Sequence, residues 1–294
     1  MKSTCIIGTG NRFKYFMKIF DYLIINKYIK IDGISNRSNK FSEQIKKYSD
    51  KLFNDYKKMI DIIQPDLVII LVSNENNLEI LKNVYKKVKY VCVETPIKNY
   101  NSKLLKEFSK KKIHILENWF YLPLEILKKE IIKSNICGKL KIAINKNRTF
   151  KYHGLSQLRN YVDFNKECIF NNNKSKIKEI QLIQNEPKIS DNILSKIGLY
   201  FDEDRIISDC LIKDDQLNFE CYDKNNNLIS KFNYMLKDDY LNKIEIEIKN
   251  KKFIWKDEYN ININQNQYGS LKSIINFLEN KFTYSPENHL NDIN

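Results

Sequence analysis

The chain has 294 residues, of which 42% are hydrophobic and 29% charged, and a formal net charge of +14. That length accommodates one large or two ordinary domains with buried cores, and that apolar content excludes a disordered chain. No apolar run approaches the ~18 residues that span a bilayer, and the lysines are scattered among Asn and Ile rather than gathered into a nucleic-acid-binding patch, so neither a membrane nor a nucleic acid is expected as partner.

Six cysteines are present, Cys5, Cys92, Cys137, Cys168, Cys210 and Cys221. None forms a Cys-x-x-Cys pair, and Cys5 and Cys92 fall inside apolar runs. Reduced thiols in a cytoplasmic protein are expected. His114, His153 and His289 are too far apart in the chain to suggest a metal site. Met1-Lys2 runs straight into a strand, so no signal peptide is expected.

Thr4-Cys5-Ile6-Ile7-Gly8-Thr9-Gly10-Asn11-Arg12-Phe13 opens the chain. A short apolar run meets Gly-x-Gly, and a helical pattern follows at once, as at the start of a dinucleotide-binding βαβ unit. Gly8 permits the turn, and Gly10 lets a phosphate approach the backbone. Phe13 stands where the third glycine of Gly-x-Gly-x-x-Gly would be, which predicts a looser or differently seated first helix. Thr9, Asn11 and Arg12 complete the candidate phosphate loop.

Strand two is expected over Lys30–Ser35, ending at Ser35-Asn36-Arg37. An acid about 20 residues past the glycines would bind a ribose 2′-hydroxyl and favour NAD. Ser35 or Asn36 occupies that place, and Arg37 can clamp a 2′-phosphate. NADP is therefore expected over NAD. Ser42–Tyr56 reads as a second helix. Asp66–Val72 is a continuous apolar run, as in a strand covered on both faces. Val72, Ser73, Asn74 and Asn77 follow at its carboxyl end, where the nicotinamide half would lie; plain turn and cap residues would look the same. Tyr90–Val93 is a further buried strand ending in Glu94-Thr95-Pro96. Ile113–Leu116 is another, ending in Glu117-Asn118-Trp119-Phe120-Tyr121. Asn118 and Tyr121 sit at the same carboxyl-end rim, and Trp119 and Phe120 read as core.

The second half is different. Arg148–Tyr152 looks extended, and a helix starts near Gly154. Short alternating segments then recur at Ile177–Gln184, Arg205–Leu211, Leu217–Tyr222, Leu228–Tyr234, Lys243–Ile248 and Lys252–Trp255, with hairpin loops at 223–227 and 249–252. The expected fold is α/β: an N-terminal Rossmann dinucleotide-binding domain over residues 1–120, then a C-terminal α+β domain over 121–294 with a mixed, largely antiparallel sheet. Packing of the last helix back on the first domain is left open.

The segments IIGTGNRF, QPDLVIILVSN, VCVETPIK and ENWFYLP together resemble the glucose–fructose oxidoreductase, inositol dehydrogenase and MocA-like family. The crossover through ICGKLKIAIN and the C-terminal YGSLKSIINFLENKF extend the resemblance, which thins between Cys168 and Asn260. It implies an NAD(P)-dependent enzyme that transfers hydride at nicotinamide C4, usually on a sugar or polyol, and assembles as a dimer or tetramer through the open face of its second sheet. VCVETPIK lies where that family carries Glu-Lys-Pro, so the family's lysine is Thr95 here. A threonine hydroxyl orients but does not serve as a base. Pro96 keeps the family's proline, which is often cis, and Glu94 is a candidate partner for the cofactor amide. Lys98 is a further candidate for the missing cation. The family's second Asp/His pair has no clean match. The nearest segment offers His153 as acid–base group, Arg159 for an anionic substrate and Asp163 four residues on. The substitutions also leave room for a cofactor-binding protein without catalysis.

Overall fold

A computed structural model describes residues 1–36, 43–98, 101–147, 151–162, 170–171, 174–177, 180–185, 193–211, 216–235 and 241–293. Two compact units emerge, residues 1–117 with 270–294, and residues 118–269.

The first unit is built on six parallel strands: β1 (Lys2–Ile7), β2 (Ile29–Ser35), β3 (Leu52–Phe53), β4 (Leu67–Ile70), β5 (Tyr90–Val93) and β6 (Lys112–Ile115). Their order is β3-β2-β1-β4-β5-β6, a doubly wound sheet whose strand order reverses between β1 and β4. Helices α1 (Asn11–Ile25), α2 (Tyr56–Ile63), α3 (Asn74–Val84) and α4 (Ser102–Phe108) make the crossovers. Every residue of β4 and β5 is buried, as strands covered on both faces require. On α1, Phe13, Phe16, Ile19, Phe20 and Leu23 form one buried stripe at helical spacing. Phe13 is fully buried, with its ring 5.7 Å from that of Phe20. The bulk at the third-glycine position is thus absorbed by an aromatic cluster.

The helix expected over Ser42–Tyr56 is not one helix. Glu43–Lys51 is a 3-10 segment, and Leu52–Phe53 pairs with Ile34–Ser35 at the sheet edge. Asp55 then caps α2 by accepting from Lys57 N at 2.7 Å and Lys58 N at 3.4 Å. Edge pairing and a strong N-cap together override the local helical pattern.

The second unit begins with a 3-10 turn at Trp119–Tyr121 and α5 (Pro123–Ser134), followed by β7 (Leu140–Asn147) and α6 (Lys151–Val162). Then come β8 (Phe170–Asn171), β9 (Lys174–Ile177), β10 (Ile180–Asn185), β11 (Ile193–Phe201), β12 (Asp204–Leu211), β13 (Gln216–Asp223), β14 (Leu228–Met235) and the hairpin β15 (Lys243–Ile248) with β16 (Lys251–Lys256). Eight of these form a sheet ordered β14-β13-β12-β11-β7-β10-β9-β8. Among the described residues only β7 and β10 pair in parallel, so the sheet is mixed and largely antiparallel. The hairpin loops are local: Asp223 Oδ1 accepts from Asn225 N and Asn227 N at 2.8 Å each. Lys249 and Asn250 take φ of +48° and +64°, as a two-residue hairpin turn demands.

Two local expectations change. β11, which sits between β7 and β12, is not legible as a strand, because Ser195, a shift in register after Ile193 and Gly198 interrupt its alternation. The helix near Gly154 begins already at Lys151, which places His153 inside its first turn.

Between α5, α6 and β12 lies a buried polar cluster. Lys128 Nζ is 2.5 Å from Glu125 Oε1 and donates to Ser208 Oγ at 2.9 Å. Tyr161 OH donates to Glu125 Oε2. Burial pushes the Tyr161 phenol well up, and the Glu125 charge adds to it. On strands β11 to β14, partly exposed side chains pair instead: Lys196 with Asp209 at 3.6 Å and Lys231 with Glu220 at 3.4 Å, while Arg205 lies 4.8 Å over Tyr222.

The chain closes with α7 (Gln265–Leu278) and α8 (Pro286–Ile293), and from Ser270 onward it belongs to the first unit. His114 anchors this return. Its Nδ1 accepts from Tyr284 N at 3.0 Å, and its Nε2 lies 2.8 Å from Ser273 Oγ, which donates to Glu117 O at 3.1 Å. The ring stacks on Phe277 at 4.9 Å. An Nδ1 that accepts fixes a neutral ring with its proton on Nε2. Burial lowers the His114 pKa to about 3.

A folded pKa below the unfolded value of about 6.5 means the unfolded chain takes up the proton first. The contribution is fully present above pH 6.5 and falls as pH drops toward 3. Urea unfolding at pH 5 should show stability about 2 kcal/mol lower from this group than at pH 7. The pH dependence should be shallower in His114→Phe. An equal pH dependence in both proteins would refute the assignment.

Candidate cofactor-binding site

β1, β2 and β4 end beside one another, and beyond their carboxyl ends lies a cavity of about 280 Å³. Seven of the residues singled out in the sequence line it: Gly8, Thr9, Gly10, Ser35, Asn36, Val72 and Ser73.

Gly8 has φ +105°, and its N–H donates to Ser35 O at 2.9 Å. A Cβ there would lie 2.5 Å from Leu71 O. The glycine is therefore required by both the turn and the neighbouring strand. Gly10 is the N-cap position of α1, and a Cβ on it would meet nothing within 4 Å. The first turn of α1 carries no acid, and no side chain caps it. Open space before uncapped helical N–H groups is what a pyrophosphate needs, so the residues present fit a dinucleotide.

Three further polar residues of the wall, Tyr56, Asn76 and Glu79, were not read as site residues from the sequence. Asn76 and Glu79 follow Ser73 at three-residue spacing along α3, so helical periodicity from Ser73 is the signal that would have found them. Asn76 Nδ2 donates to Ser73 Oγ at 2.6 Å. Tyr56 OH accepts from Asn83 Nδ2 at 2.9 Å.

The remaining candidates lie elsewhere. Asn11 and Asn74 are exposed first residues of their helices. Asn77 is fully buried and donates to Glu94 O at 2.8 Å, tying α3 to the end of β5. Glu94 is buried and pairs with Arg12, Nη2 to Oε1, at 2.8 Å. Burial opposes the Arg12 charge, but the Glu94 carboxylate outweighs it, and the Arg12 pKa is raised. Thr95 is buried, its Oγ1 lies 3.5 Å from Glu94 Oε1, and the bond to the buried Pro96 is cis. Lys98 is exposed. Arg37 and Asp163 lie outside the described residues.

The acid–base candidates stand in the second unit. His153 is half-buried on α6, with its ring stacked on Trp119 at 5.0 Å and beside Tyr152 at 4.2 Å. Tyr121 is half-buried against Phe120, ring to ring at 4.5 Å. Trp119 and Phe120 are buried, and so is Arg159, which is 3% exposed. Asn118 also belongs to this unit and donates to Asn266 O at 2.9 Å. Cys5 and Cys92 are buried free thiols. Burial first, then the Asp32 charge, raises Cys5 to about 12, and burial raises Cys92; such thiols are inert. Among the described residues, no helix is long and apolar enough to cross a membrane.

A glycine turn, a bare helix start and a cavity at the switch point of a parallel sheet are the features of a Rossmann dinucleotide-binding fold. Residues 2–115 match the sequence model of the oxidoreductase family with an NAD-binding Rossmann fold. Over the parallel sheet of the first unit the chain is therefore similar in sequence to the Gfo/Idh/MocA oxidoreductases. Solved structures extend the likeness of fold. An oxidoreductase from Agrobacterium radiobacter, in complex with NAD+, L-tartaric acid and magnesium, has a TM-score of 0.66 at 12% identity, covering 99% of this chain and 93% of its own. The dehydrogenase MviM from Clostridium difficile has a TM-score of 0.63 at 15% identity, covering 99% of this chain and 96% of its own. An oxidoreductase from Desulfitobacterium hafniense, described as NADPH-dependent, has a TM-score of 0.59 at 10% identity, covering 95% of each chain. No curated protein matches the sequence.

Proposed function

We infer that the chain transfers hydride between NAD(P) and a small polar substrate, a sugar, a nucleotide-sugar or a related carbonyl or imine. The supporting observation is the cavity beside Gly8–Gly10, with its open backbone and uncapped α1. A bound nicotinamide dinucleotide would supply the hydride. Gly10 and the first N–H groups of α1 hold the pyrophosphate. Ser35 and Asn36 meet the ribose, and Arg37 clamps a 2′-phosphate, so NADP is preferred over NAD. Ser73 and Glu94 orient the nicotinamide half. His153 moves the proton, with Tyr121 as its nearest substitute, and Arg159 favours an anionic substrate. Thr95 hydrogen-bonds and takes no proton at neutral pH. The protein works in the cytoplasm as a homo-oligomer.

NADPH and NADH titrations should give the tighter binding to NADPH. Arg37→Ala should weaken NADPH about tenfold or more, the loss expected of a charge-assisted phosphate contact, and leave NADH unchanged. Equal losses for both nucleotides would remove Arg37 from the 2′-phosphate. Oxidation of NADPH with a panel of keto sugars, aldoses and cyclic imines should be lost in His153→Ala.

The burial of Thr95 beside Glu94 favours a second reading, a nucleotide-binding sensor or assembly partner without catalysis. Tight nucleotide binding with no turnover across the panel would select it.

A further inference from the structure

The turn at the carboxyl end of β5 is held from three helices. Glu94 N donates to Ile70 O at 3.0 Å and continues the pairing of β4 with β5. From there residues 94–97 are neither helix nor strand. Arg12 of α1 pairs with the Glu94 carboxylate at 2.8 Å, and Asn77 of α3 donates to Glu94 O at 2.8 Å. At the far end of the turn, Ile97 N donates to His289 Nε2 of α8 at 3.0 Å. Thr95 thus lies between two anchored residues.

His289 is fully buried, with its ring 6.1 Å from that of Tyr284, and Ile97 is 1% exposed. A ring nitrogen that accepts a backbone N–H carries no proton, so this imidazole is neutral. An apolar side chain would fill the same space without desolvating ring nitrogens; what histidine adds is an acceptor for Ile97 N. The helix that carries it is itself fixed to the sheet. Ile115 N of β6 donates to Tyr284 O at 2.9 Å, and Tyr284 OH donates to Asp292 of α8. His289 does not line the cofactor cavity, so it can affect a ligand only through the turn it holds. Groups that orient a ligand must be kept within about 0.5 Å of their working positions by the residues behind them. Without His289 the buried Ile97 N–H loses its acceptor, and the turn must shift to find another.

We propose that His289 is a positioning residue for the nicotinamide end of the cofactor: by holding Ile97 it sets where Glu94 and Thr95 stand. The proposal rests on the reading of Glu94 and Thr95 as cofactor contacts. It makes α8 part of the machinery of the site. The adenosine half, placed at Ser35 and Asn36, does not depend on this turn.

Calorimetric titration of the full chain with two ligands tests this. One is NADPH or NADH, whichever binds wild type more tightly. The other is the same molecule without its nicotinamide, 2′-phospho-ADP-ribose or ADP-ribose. His289→Leu should weaken the nicotinamide nucleotide about tenfold or more, the scale of one hydrogen bond, and its counterpart no more than about twofold. His289→Gln, whose amide oxygen can accept in place of Nε2, should recover most of that loss. Equal losses for both ligands in His289→Leu would show a role in the fold alone. Nicotinamide nucleotide affinity within twofold of wild type would show no role at the site. Either result overturns the proposal, as does a His289→Gln variant as weak as His289→Leu. If wild type binds neither NADPH nor NADH, the cofactor reading fails and the proposal falls with it, before any variant is compared. Should His289→Leu fail to fold, as judged by circular dichroism, His289→Asn, whose shorter amide does not reach Ile97 N, is judged by the same two ratios.

Discussion

Lys128→Met is expected to lower stability by about 3–5 kcal/mol in urea unfolding, the usual cost of stranding one member of a buried ion pair. Lys128 is 1% exposed at its side chain and Glu125 6%. Removing the ammonium leaves the Glu125 carboxylate in a low-dielectric site with, among the described residues, the Tyr161 hydroxyl as its partner on the opposite oxygen. Methionine fills nearly the same volume, so the loss reports charge and not a cavity. Replacing the whole cluster is predicted to behave differently. Glu125→Leu with Lys128→Met and Tyr161→Phe should recover most of the loss, because apolar packing substitutes well for a buried pair once no charge is stranded. A single variant within 1 kcal/mol of wild type would show that water or another group already compensates for the charge.

Gly8→Val and Gly10→Ala should separate folding from binding at the same loop. At Gly8 a side chain must adopt φ +105° and place its Cβ 2.5 Å from the Leu71 carbonyl oxygen. That backbone cannot retreat, because Leu71 N donates to Ile7 O at 2.8 Å and Gly8 N donates to Ser35 O at 2.9 Å. Strain of this kind alone costs about 1–3 kcal/mol, and the clash adds to it. Gly8→Val should therefore unfold at markedly lower urea and lose nucleotide binding. Gly10 has φ −77°, and a Cβ on it meets nothing. Gly10→Ala should keep its stability within about 1 kcal/mol, as substitutions without strain or burial do, yet bind NAD(P)H at least tenfold more weakly, since its methyl group occupies the phosphate's approach. Unchanged binding in Gly10→Ala would move the pyrophosphate away from this turn.

Much of the first unit is readable because its signals are local. Leu67–Val72 and Tyr90–Val93 are apolar without a break, as strands covered on both faces are. Gly8-Thr9-Gly10 marks its own turn. What was misread depends on pairing at a distance. Leu52-Phe53 is a strand only because β2 lies beside it, and β11 is central only because β7 and β12 flank it. The cavity shows the same division. Residues on the strand ends and the glycine turn were legible from the chain, whereas Tyr56 reaches the wall through helix placement that sequence spacing alone does not fix. Arg12 illustrates a further limit. Its place in the loop was legible, but its pairing with Glu94, eighty-two residues away, depends on where α1 and β5 end in space.

The most direct test is a titration of the wild-type chain with NADH and with NADPH, followed by nicotinamide fluorescence. Saturable binding of at least one nucleotide is the predicted result, with NADPH the tighter. Absence of binding for both would contradict the account, and the Gly8–Gly10 turn would then be structural alone.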